Sequence, residues 1–383
     1  MNRITVKNIQ ADTFFTKPVW LDDQFILTAP EAPFTRELLQ TLLGWEFREV
    51  QSDGDPCDGF AAGNDDDIRN TRTAVSVDTE SLADGDQIKQ ARAFYAAFQD
   101  YVDRVFGRVQ EGKTLDFSMI AEKMKGFCDT IKEDRRFLLR ILRNAGPSAG
   151  QNFLTSHAVN STIISVIIGY YLKLPNHRLI ELSVSAMLHE IGMIKLPSAL
   201  YLNQRSLTPQ ERNAIMTHPA LGYGLLQSFK FPLTVSVAAL EHHERENGNG
   251  YPRKLVGNQI SLYAKIIAVA CSYEALTSDR PHKDAVDGFT GMLDLLKNVG
   301  KQYDDTIVRA LVFSLSIYPI GLYVLLSTGQ NGQVLDINPA NPRFPIVQLF
   351  GELGANGKNK VTETSASGIH IVRPLKKEEI DIR

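Results

Sequence analysis

Apolar and polar residues alternate with two different periods along this chain. Strand-like alternation around Ile4 to Ile9 and Val19 to Leu27, followed by a helical pattern at Phe34 to Leu43, predicts a small N-terminal α+β module. From Gln87 to Ser316 the apolar residues recur with a helical period, and from Gly321 to Arg373 the pattern becomes strand-like again. The predicted fold class is therefore mainly α, a helical bundle with a small α+β module before it and a β-rich tail after it.

These changes of pattern divide the chain into parts. Residues 51–86 hold ten acidic side chains against two arginines, a composition that buries little apolar surface, and they are predicted to be a disordered linker. Two long amphipathic segments, Ala91 to Val109 and Phe117 to Leu142, are predicted to form a helical connector. A later helix is predicted at Pro209 to Ser228, with Thr208 as its cap and Glu211 three residues after the cap. The predicted parts are a module at 1–50, the acidic linker at 51–86, the connector at 87–144, the bundle at 145–316 and a β-rich extension at 317–383.

Composition narrows the partners and the compartment. A net charge of -3 over 383 residues gives no electrostatic reason to expect a nucleic acid polymer or an anionic membrane surface as a partner. One long uncharged run, residues 310–334, contains Pro319 and Gly321, so it predicts a helix followed by strands and not a membrane span. Three widely separated cysteines form no disulfide framework, and the chain starts without a signal-peptide pattern, so a cytoplasmic location is expected.

Histidine is concentrated in the helical part of the chain. Of eight histidines, six fall between residues 157 and 243, and one of these, His177, lies in a Pro-Asn-His turn and is set aside as exposed. A single buried histidine is more often structural than metal-binding, but clustering with a carboxylate changes that balance. Helical bundles build metal sites from side chains on facing helices. The predicted metal ligands, from four separate helices, are His157, His189, Glu190, His218, His242 and His243.

Two pairs of adjacent residues bear on the number of metal ions. Neighbours on a helix, such as His189 and Glu190, point about 100° apart. Both can bind metal only where the carboxylate spans two ions, and His242 and His243 can each serve a different ion by the same reasoning. A glycine-rich stretch, Gly248 to Pro252, follows the second pair and predicts an open turn beside it. The pattern therefore predicts a centre with two metal ions.

Several short motifs in this region resemble those of the HD-GYP family, a branch of the HD phosphohydrolase superfamily. They are, in chain order, His189-Glu-Ile-Gly192, Thr217-His-Pro219, His242-His-Glu-Arg245 with Gly250-Tyr-Pro252, and Ala275-Leu-Thr-Ser-Asp-Arg-Pro281. The resemblance spans roughly residues 145–300. It implies a helical HD domain, whose members hydrolyse the bacterial second messenger cyclic di-GMP at a centre of two or three metal ions.

The resemblance also implies roles for individual residues. Glu190 and Lys195 are the implied catalytic residues, and Arg280, Lys283 and Tyr251 are the implied substrate-binding residues. Two divalent metal ions, iron or manganese, are the expected cofactors. The family's metal-ligand positions fall on His157, His189, Glu190, His218, His242, His243 and Cys271, with Glu274 one turn after Cys271 as an alternative ligand.

Four positions depart from the family at the chemistry. Glu190 and Cys271 stand where the family has Asp, Met193 stands where it has Lys, and Asn247 stands where it has an acidic residue. A thiolate binds iron or zinc but prefers softer metals than a carboxylate does. The segment between residues 134 and 157 contains no Asp or Glu, so the acidic ligand that supports a third metal in some members is absent, which favours two ions.

Two functions stay open. The first is an active metal-dependent phosphodiesterase of cyclic di-GMP, which the complete set of motif histidines favours. The second is a degenerate member that binds the dinucleotide or a protein partner without turnover, which Glu190, Met193 and Cys271 favour. The expected partners are cyclic di-GMP or a related cyclic dinucleotide, a signalling protein at the Gly250-Tyr251-Pro252 loop, and a second copy of the chain in a homodimer.

Overall fold

The computed structural model describes most of the chain. The described residues are 2–17, 19–22, 25–28, 33–44, 48–57, 84–142, 153–201, 205, 207–278, 285–316, 318–338, 344–354, 359–365, 368–375 and 379. They fall into two compact units. One unit is Ser81–Ile317, and the other joins Met1–Glu80 to Tyr318–Arg383.

The N-terminal part contains a small antiparallel sheet and one helix. Its elements are β1 (Asn2–Thr5), β2 (Phe14–Phe15), β3 (Val19–Asp22), β4 (Phe25–Thr28), α1 (Arg36–Gly44), β5 (Glu49–Ser52) and β6 (Pro56–Cys57). Four strands pair in the order β1-β5-β3-β4, and Val19, Phe34 and Val50 share a small core. The predicted α+β module is confirmed.

The predicted disordered linker begins too early and ends too late. β5 and β6 continue the folded module into its first residues, because Val50 and Ser52 are both buried and β5 pairs along its whole length with β1. At the other end, a helix begins at Asp84. The middle of the predicted linker, residues 58–83, lies outside the described residues.

The other unit is helical. Its helices are α2 (Asp84–Gln110), α3 (Phe117–Glu133), α4 (Arg135–Leu142), α5 (Phe153–Tyr171), α6 (Asn176–Leu188), α7 (Pro209–Ile215), α8 (His218–Ser228), α9 (Leu233–Glu241), α10 (Leu262–Thr277), α11 (Gly288–Lys297) and α12 (Asp305–Leu315). One continuous apolar core runs through these helices. The prediction of a mainly α fold is confirmed.

α5 is the central helix of this unit. Every residue from 154 to 169 is buried, against α2, α6, α10 and α12. By length and composition α5 is apolar enough to cross a membrane, but 89% of its apolar window is buried among the neighbouring helices. It is therefore the core helix of the bundle, and it places His157 in the interior.

The segment predicted as a helical connector belongs to the bundle. Phe98 and Val102 of α2 and Met124 and Ile131 of α3 are fully buried in the same core as α5. The predicted amphipathic pattern is present, and the buried apolar residues of α2 and α3 pack within the chain.

Two predicted helices are each split in two. Residues 117–142 form α3 and α4, because Asp134 leaves helical geometry and its N–H closes the last turn of α3 on Thr130 at 2.8 Å. The predicted helix at 209–228 is split into α7 and α8 ahead of Pro219, which has no N–H to continue the hydrogen-bond ladder. The predicted start of α7 is confirmed, with Thr208 and Glu211 forming a capping box.

The C-terminal tail forms a second sheet. Its strands are β7 (Tyr323–Leu326), β8 (Asn331–Asp336), β9 (Ile346–Leu353), β10 (Asn359–Glu363) and β11 (Ile371–Pro374), paired antiparallel in the order β10-β9-β8-β7-β11. Buried and half-buried residues alternate along β7 and β8, as expected for a sheet with one face on a core. The predicted β-rich extension is confirmed.

Candidate metal centre

Five histidines and one glutamate meet inside the helical unit. His157 lies in the second turn of α5, His218 begins α8, and the His189-Glu190 and His242-His243 pairs directly follow α6 and α9. Their ligand atoms form two groups, in each of which all atoms lie within 4.8 Å of one another. The first ligand group is His157, His189 and Glu190, and the second ligand group is Glu190, His218, His242 and His243.

Glu190 belongs to both ligand groups. Its Oε1 lies 3.8 Å from Nε2 of His157 and 3.8 Å from Nε2 of His189. Its Oε2 lies 3.1 Å from Nε2 of His218. One carboxylate therefore presents a different oxygen to each group, as the sequence predicts for a carboxylate that spans two ions.

Backbone carbonyls fix the ring orientation of three histidines. Nδ1 lies 2.6 Å from the carbonyl oxygen three residues earlier at His189, 2.7 Å at His218 and 2.8 Å at His242. A carbonyl oxygen only accepts, so Nδ1 carries the proton and Nε2 keeps a free lone pair. All three rings thus present an unprotonated Nε2 to the centre of the cluster.

Pro219 explains why His218 makes this bond. In a continuous helix the carbonyl of Ile215 would accept from the N–H of residue 219, and proline has none. The imidazole of the adjacent His218 supplies the missing donor. Gly192 completes the arrangement, because a Cβ at that position would collide with the backbone of His218 and Gly222. The Thr217-His-Pro219 and His189-Glu-Ile-Gly192 motifs therefore lie in contact, and the contact requires a glycine at position 192.

A carboxylate fixes the ring of His157. Nδ1 of His157 donates to Oε2 of Glu274, a buried residue of α10 that also accepts from the amide of Asn160 at 3.3 Å. The sequence offers Glu274 as an alternative metal ligand in place of Cys271. In the structure its carboxylate instead bonds the far side of an imidazole, because it sits on the Nδ1 side of His157 and away from both ligand groups.

Burial sets the charge of the imidazoles. It lowers the pKa of His189 to about 4, outweighing the opposing charge of Glu190. Burial also lowers the pKa of His242 and of His243 well below the usual value, and neighbouring histidines add to the effect. Burial opposes ionisation of Glu190, but the surrounding histidines, His218 foremost, outweigh burial and hold its pKa at about 2. Glu190 is therefore a carboxylate at neutral pH.

This donor set fits divalent cations. Oε2 of Glu190 is buried and accepts no hydrogen bond from any described residue. Nε2 atoms face each other at 3.2 Å between His218 and His242 and at 3.3 Å between His157 and His189, and none of these atoms carries a proton to share. Lone pairs and a carboxylate held this close repel one another, and a cation among them turns that repulsion into coordination. Imidazole with carboxylate suits first-row divalent ions.

Tyr251 lies beside the second ligand group. Its ring stacks on that of His243, with centroids 4.6 Å apart and planes 16° apart, and its N–H donates to the His243 carbonyl at 3.2 Å. Burial first and the charge of Glu190 second raise the pKa of Tyr251, so it remains a neutral phenol. The predicted place of Tyr251 next to the histidine pair agrees with this geometry.

Two buried carboxylates hold the glycine-rich loop in place, and sequence reasoning missed both. Glu244 accepts from the backbone N–H groups of Arg253 at 2.7 Å and Leu255 at 2.9 Å. Glu241 accepts from the N–H of Ser261 at 2.8 Å and from the guanidinium of Arg253. Their position on either side of the histidine pair was the signal available in the sequence.

Cys271 and Lys195 are not brought to the cluster. Cys271 is buried in α10 with its Sγ 3.5 Å from the Ala268 carbonyl, and it belongs to neither ligand group. Lys195 is exposed at the end of the 3-10 helix Ile191–Lys195. Arg280 and Lys283 lie outside the described residues.

Comparison with known proteins places the matching region over this site. The model of the HD domain family matches residues 149–307. Cyclic di-GMP phosphodiesterase PdeB of Borreliella burgdorferi is 26% identical over 240 residues, which cover 62% of this chain and 63% of PdeB. A cyclic di-GMP phosphodiesterase of Pseudomonas aeruginosa is 27% identical over 267 residues, which cover 69% of this chain and 63% of the relative. The chain thus spans a little under two thirds of the length of these relatives.

A shorter match is closer in sequence. The response regulator RpfG of Xanthomonas campestris, a cyclic di-GMP phosphodiesterase, is 39% identical over 137 residues, which cover 35% of this chain and 36% of RpfG. Among solved structures, Bd1817, an HDG"Y"P protein of Bdellovibrio bacteriovorus, matches with a TM-score of 0.50 and 19% identity over 61% of this chain and 73% of its own. That likeness concerns the fold alone. Residues 149–307 therefore match the HD domain family, and the resemblance of this chain to the HD-GYP family is confirmed.

Proposed function

We propose that this chain is a metal-dependent phosphodiesterase that hydrolyses cyclic di-GMP. The observation that carries the proposal is Glu190, whose two oxygens face two separate groups of imidazole nitrogens. A carboxylate in that position can hold two ions side by side, which is the arrangement that phosphoester hydrolysis exploits. Similarity to curated cyclic di-GMP phosphodiesterases supports the substrate class.

The proposed cofactors are two divalent ions, iron or manganese. The first ligand group would hold one ion and the second ligand group the other, with Glu190 shared. Bound ions of this kind lower the pKa of a water molecule and neutralise charge that grows on the phosphate oxygens.

The residues of the chain bind and orient. The carbonyls behind His189, His218 and His242 hold each Nε2 in one direction, so no ring has to turn when the site fills. Tyr251 offers a neutral hydroxyl and a ring face beside the second ligand group. Lys195, Arg280 and Lys283 remain the proposed partners of substrate phosphates. The signalling protein predicted at the Gly250-Tyr251-Pro252 loop and the homodimer also remain proposals.

A second candidate is a member that binds the dinucleotide without turnover. Met193 is buried where the family has a lysine. The nearest cation along the chain is Lys195, and its side chain is exposed to solvent. Cys271, where the family has a ligand, lies outside both ligand groups. This candidate requires binding of cyclic di-GMP with no product.

The test measures metal content and hydrolysis on one preparation of the full chain. After anaerobic loading with Fe²⁺ or Mn²⁺, we expect about two ions per chain and conversion of cyclic di-GMP to a linear product. Glu190→Gln keeps the shape of the side chain and removes its charge. This variant should bind both ions more weakly and lower the rate of hydrolysis on the order of a thousandfold.

A matched control is available on α6, the helix that directly precedes His189 and Glu190. His177 is exposed at the start of α6, the helix that leads to His189, so His177→Ala should leave metal content and hydrolysis unchanged. Two bound ions with tight dinucleotide binding and no product would establish the second candidate. A chain that takes up no metal under either loading would refute the first candidate, and one that also binds no cyclic di-GMP would refute both.

A further inference from the structure

A line of four buried side chains ends on His157. The hydroxyl of Tyr95, on α2, donates to Oδ1 of Asn160 at 2.7 Å. The amide of Asn160 donates to Oε1 of Glu274 at 3.3 Å. Oε2 of Glu274 then accepts from Nδ1 of His157. These four residues, the His157 relay, connect three helices, α2, α5 and α10.

Only one arrangement of protons satisfies the His157 relay. The carboxylate of Glu274 can only accept, so the amide of Asn160 must face it and Oδ1 must face Tyr95. The phenol of Tyr95 must then donate, and burial raises its pKa, so the hydroxyl keeps its proton. The same order places a proton on Nδ1 of His157 and leaves its Nε2 bare. The ligand nitrogen is thus specified from a residue two hydrogen bonds beyond Glu274.

Water has little access to the His157 relay. The exposed fraction is 8% for Tyr95, 2% for Asn160, 3% for Glu274 and 5% for His157. In such an interior, a group that loses its partner finds no solvent to replace it. Removing the hydroxyl of Tyr95 therefore leaves Asn160 underbonded and free to turn away from Glu274.

Two more contacts tie the same faces of α2 and α5 together. Gln99 donates to Ser156 at 3.1 Å, and the hydroxyl of Thr155 donates to Asp103. Tyr95, Gln99 and Asp103 are spaced by four and so share one face of α2. On α5 their partners lie directly before His157 and three residues after it. These hydrogen bonds between α2 and α5 therefore fix the backbone around His157 as well as its ring.

We propose that Tyr95 and Asn160 are positioning residues of the metal centre, which hold His157, through Glu274, with its Nε2 directed at the first ligand group. The proposal rests on the proposed metal centre and extends it to α2, where none of the family motifs in this sequence falls. Neither residue touches a metal or the substrate. Their effect is on the affinity of the first ligand group and on activity only as a consequence.

The test is Mn²⁺ binding to metal-free protein, measured by equilibrium dialysis on the full chain. Tyr95→Phe removes one oxygen and should lower the Mn²⁺ affinity of the first ligand group about tenfold. That is the lower end of the loss in affinity seen when the hydrogen-bond partner of a metal ligand is removed. Tyr101→Phe is the matched control, because Tyr101 lies on the same helix, half-buried against Phe127 and outside the His157 relay. It should bind Mn²⁺ as the wild type does.

A paired substitution separates positioning from general stability. Asn160→Asp sets two carboxylates against each other and should lower Mn²⁺ affinity more than Tyr95→Phe does. Adding Glu274→Gln restores every hydrogen bond and reverses only the one between positions 160 and 274, because the new amide donates to the aspartate while its oxygen still accepts from His157. The double variant should recover most of the lost affinity. A double variant that binds no better than Asn160→Asp would overturn the proposal.

The outcomes also distinguish this proposal from the proposed function. A Tyr95→Phe variant that melts at a lower temperature yet binds Mn²⁺ like the wild type would show a purely structural hydroxyl and end the proposal alone. A wild-type chain that binds no Mn²⁺ would end the metal centre itself. Weakened binding in Tyr95→Phe at the wild-type melting temperature would establish the positioning role.

Discussion

Two different kinds of hydrogen bond hold histidine rings of the cluster with Nε2 directed at the ligand groups. His189, His218 and His242 each bond a carbonyl three residues earlier in their own chain segment. His157 bonds Glu274, which lies 117 residues away and is itself held by Asn160. The first kind is complete once a helix end has formed. The second exists only after α5 and α10 have packed.

This difference separates a locally determined half of the site from one determined by packing. A ring held by a backbone carbonyl keeps its orientation as long as its own helix end is formed. A ring held by a distant carboxylate is sensitive to every substitution between α5 and α10. We therefore expect the first ligand group, which contains His157, to be the more easily damaged of the two.

Acid should strongly test two of the carbonyl-held histidines, His189 and His242. The pKa of His189 is about 4 in the folded chain, against an ordinary value of about 6.5 for a solvated histidine in the unfolded chain. Between those values the unfolded chain binds more protons, so the metal-free protein loses stability as pH falls from about 6.5 to about 4. His189 alone accounts for a loss on the order of 3 kcal/mol at pH 4, and the lowered pKa of His242 acts in the same direction.

Urea unfolding of the metal-free protein at several pH values measures this loss. His189→Ala should flatten the dependence between about pH 6.5 and about pH 4, because it removes one of the protons taken up on unfolding. His177→Ala should not change it, since His177 is exposed. Equal slopes for the wild type and His189→Ala would show that His189 is not buried as a neutral imidazole.

Removing the distant carboxylate should damage one ligand group and spare the other. Glu274→Leu leaves Nδ1 of His157 and the amide of Asn160 without their acceptor, so the ring of His157 is no longer fixed. We expect Mn²⁺ affinity of the first ligand group to fall on the order of a hundredfold. Dialysis at a moderate Mn²⁺ concentration should then give about one ion per chain where the wild type holds about two.

The second ligand group is the internal control for that variant. It should keep its affinity, because the rings of His218 and His242 are held by carbonyls of their own helix ends and not by Glu274. Equal weakening of both groups would mean that Glu274 acts through the general stability of the bundle. The contrast between the two means of orientation would then be lost.

Sequence reasoning succeeded where the information is local. Helical periodicity and the motif histidines identify the bundle and the residues that meet in it, because each ligand stands at or near a helix end whose pattern is readable. It offered Glu274 as a metal ligand, since nothing in the spacing shows that α10 approaches His157 from its Nδ1 side. It also ran one helix through Pro219, although the His218-Pro219 pair contained the evidence for a break.

Pro219 offers a smaller perturbation of the locally determined half. Pro219→Ala supplies an N–H that competes with His218 for the Ile215 carbonyl, so the ring of His218 is held for only part of the time. We expect Mn²⁺ affinity of the second ligand group to fall about tenfold. Pro209→Ala, at the first position of α7 where no hydrogen bond is at stake, is the control. Unchanged affinity in Pro219→Ala would mean that the carbonyl bond does not orient this ring.

The smallest effect is expected at Cys271, which the family resemblance makes a ligand and the geometry leaves outside both ligand groups. Cys271→Ser keeps a donor within reach of the Ala268 carbonyl, 3.5 Å from the present sulfur, and removes the thiol. We expect Mn²⁺ affinities within about twofold of the wild type, because this side chain lies outside both ligand groups.

Cadmium makes that expectation decisive, because a thiolate prefers soft metals while imidazole and carboxylate discriminate less. If Cys271 is a ligand, Cd²⁺ should bind the wild type far more tightly than the serine variant, and Mn²⁺ affinity should change as well. If it is a buried side chain of α10, the ratio of Cd²⁺ to Mn²⁺ affinity should be the same in both proteins. A ratio that falls about tenfold or more with Cys271→Ser would add a third kind of ligand to the centre, one that is positioned by α10, the same helix that carries Glu274.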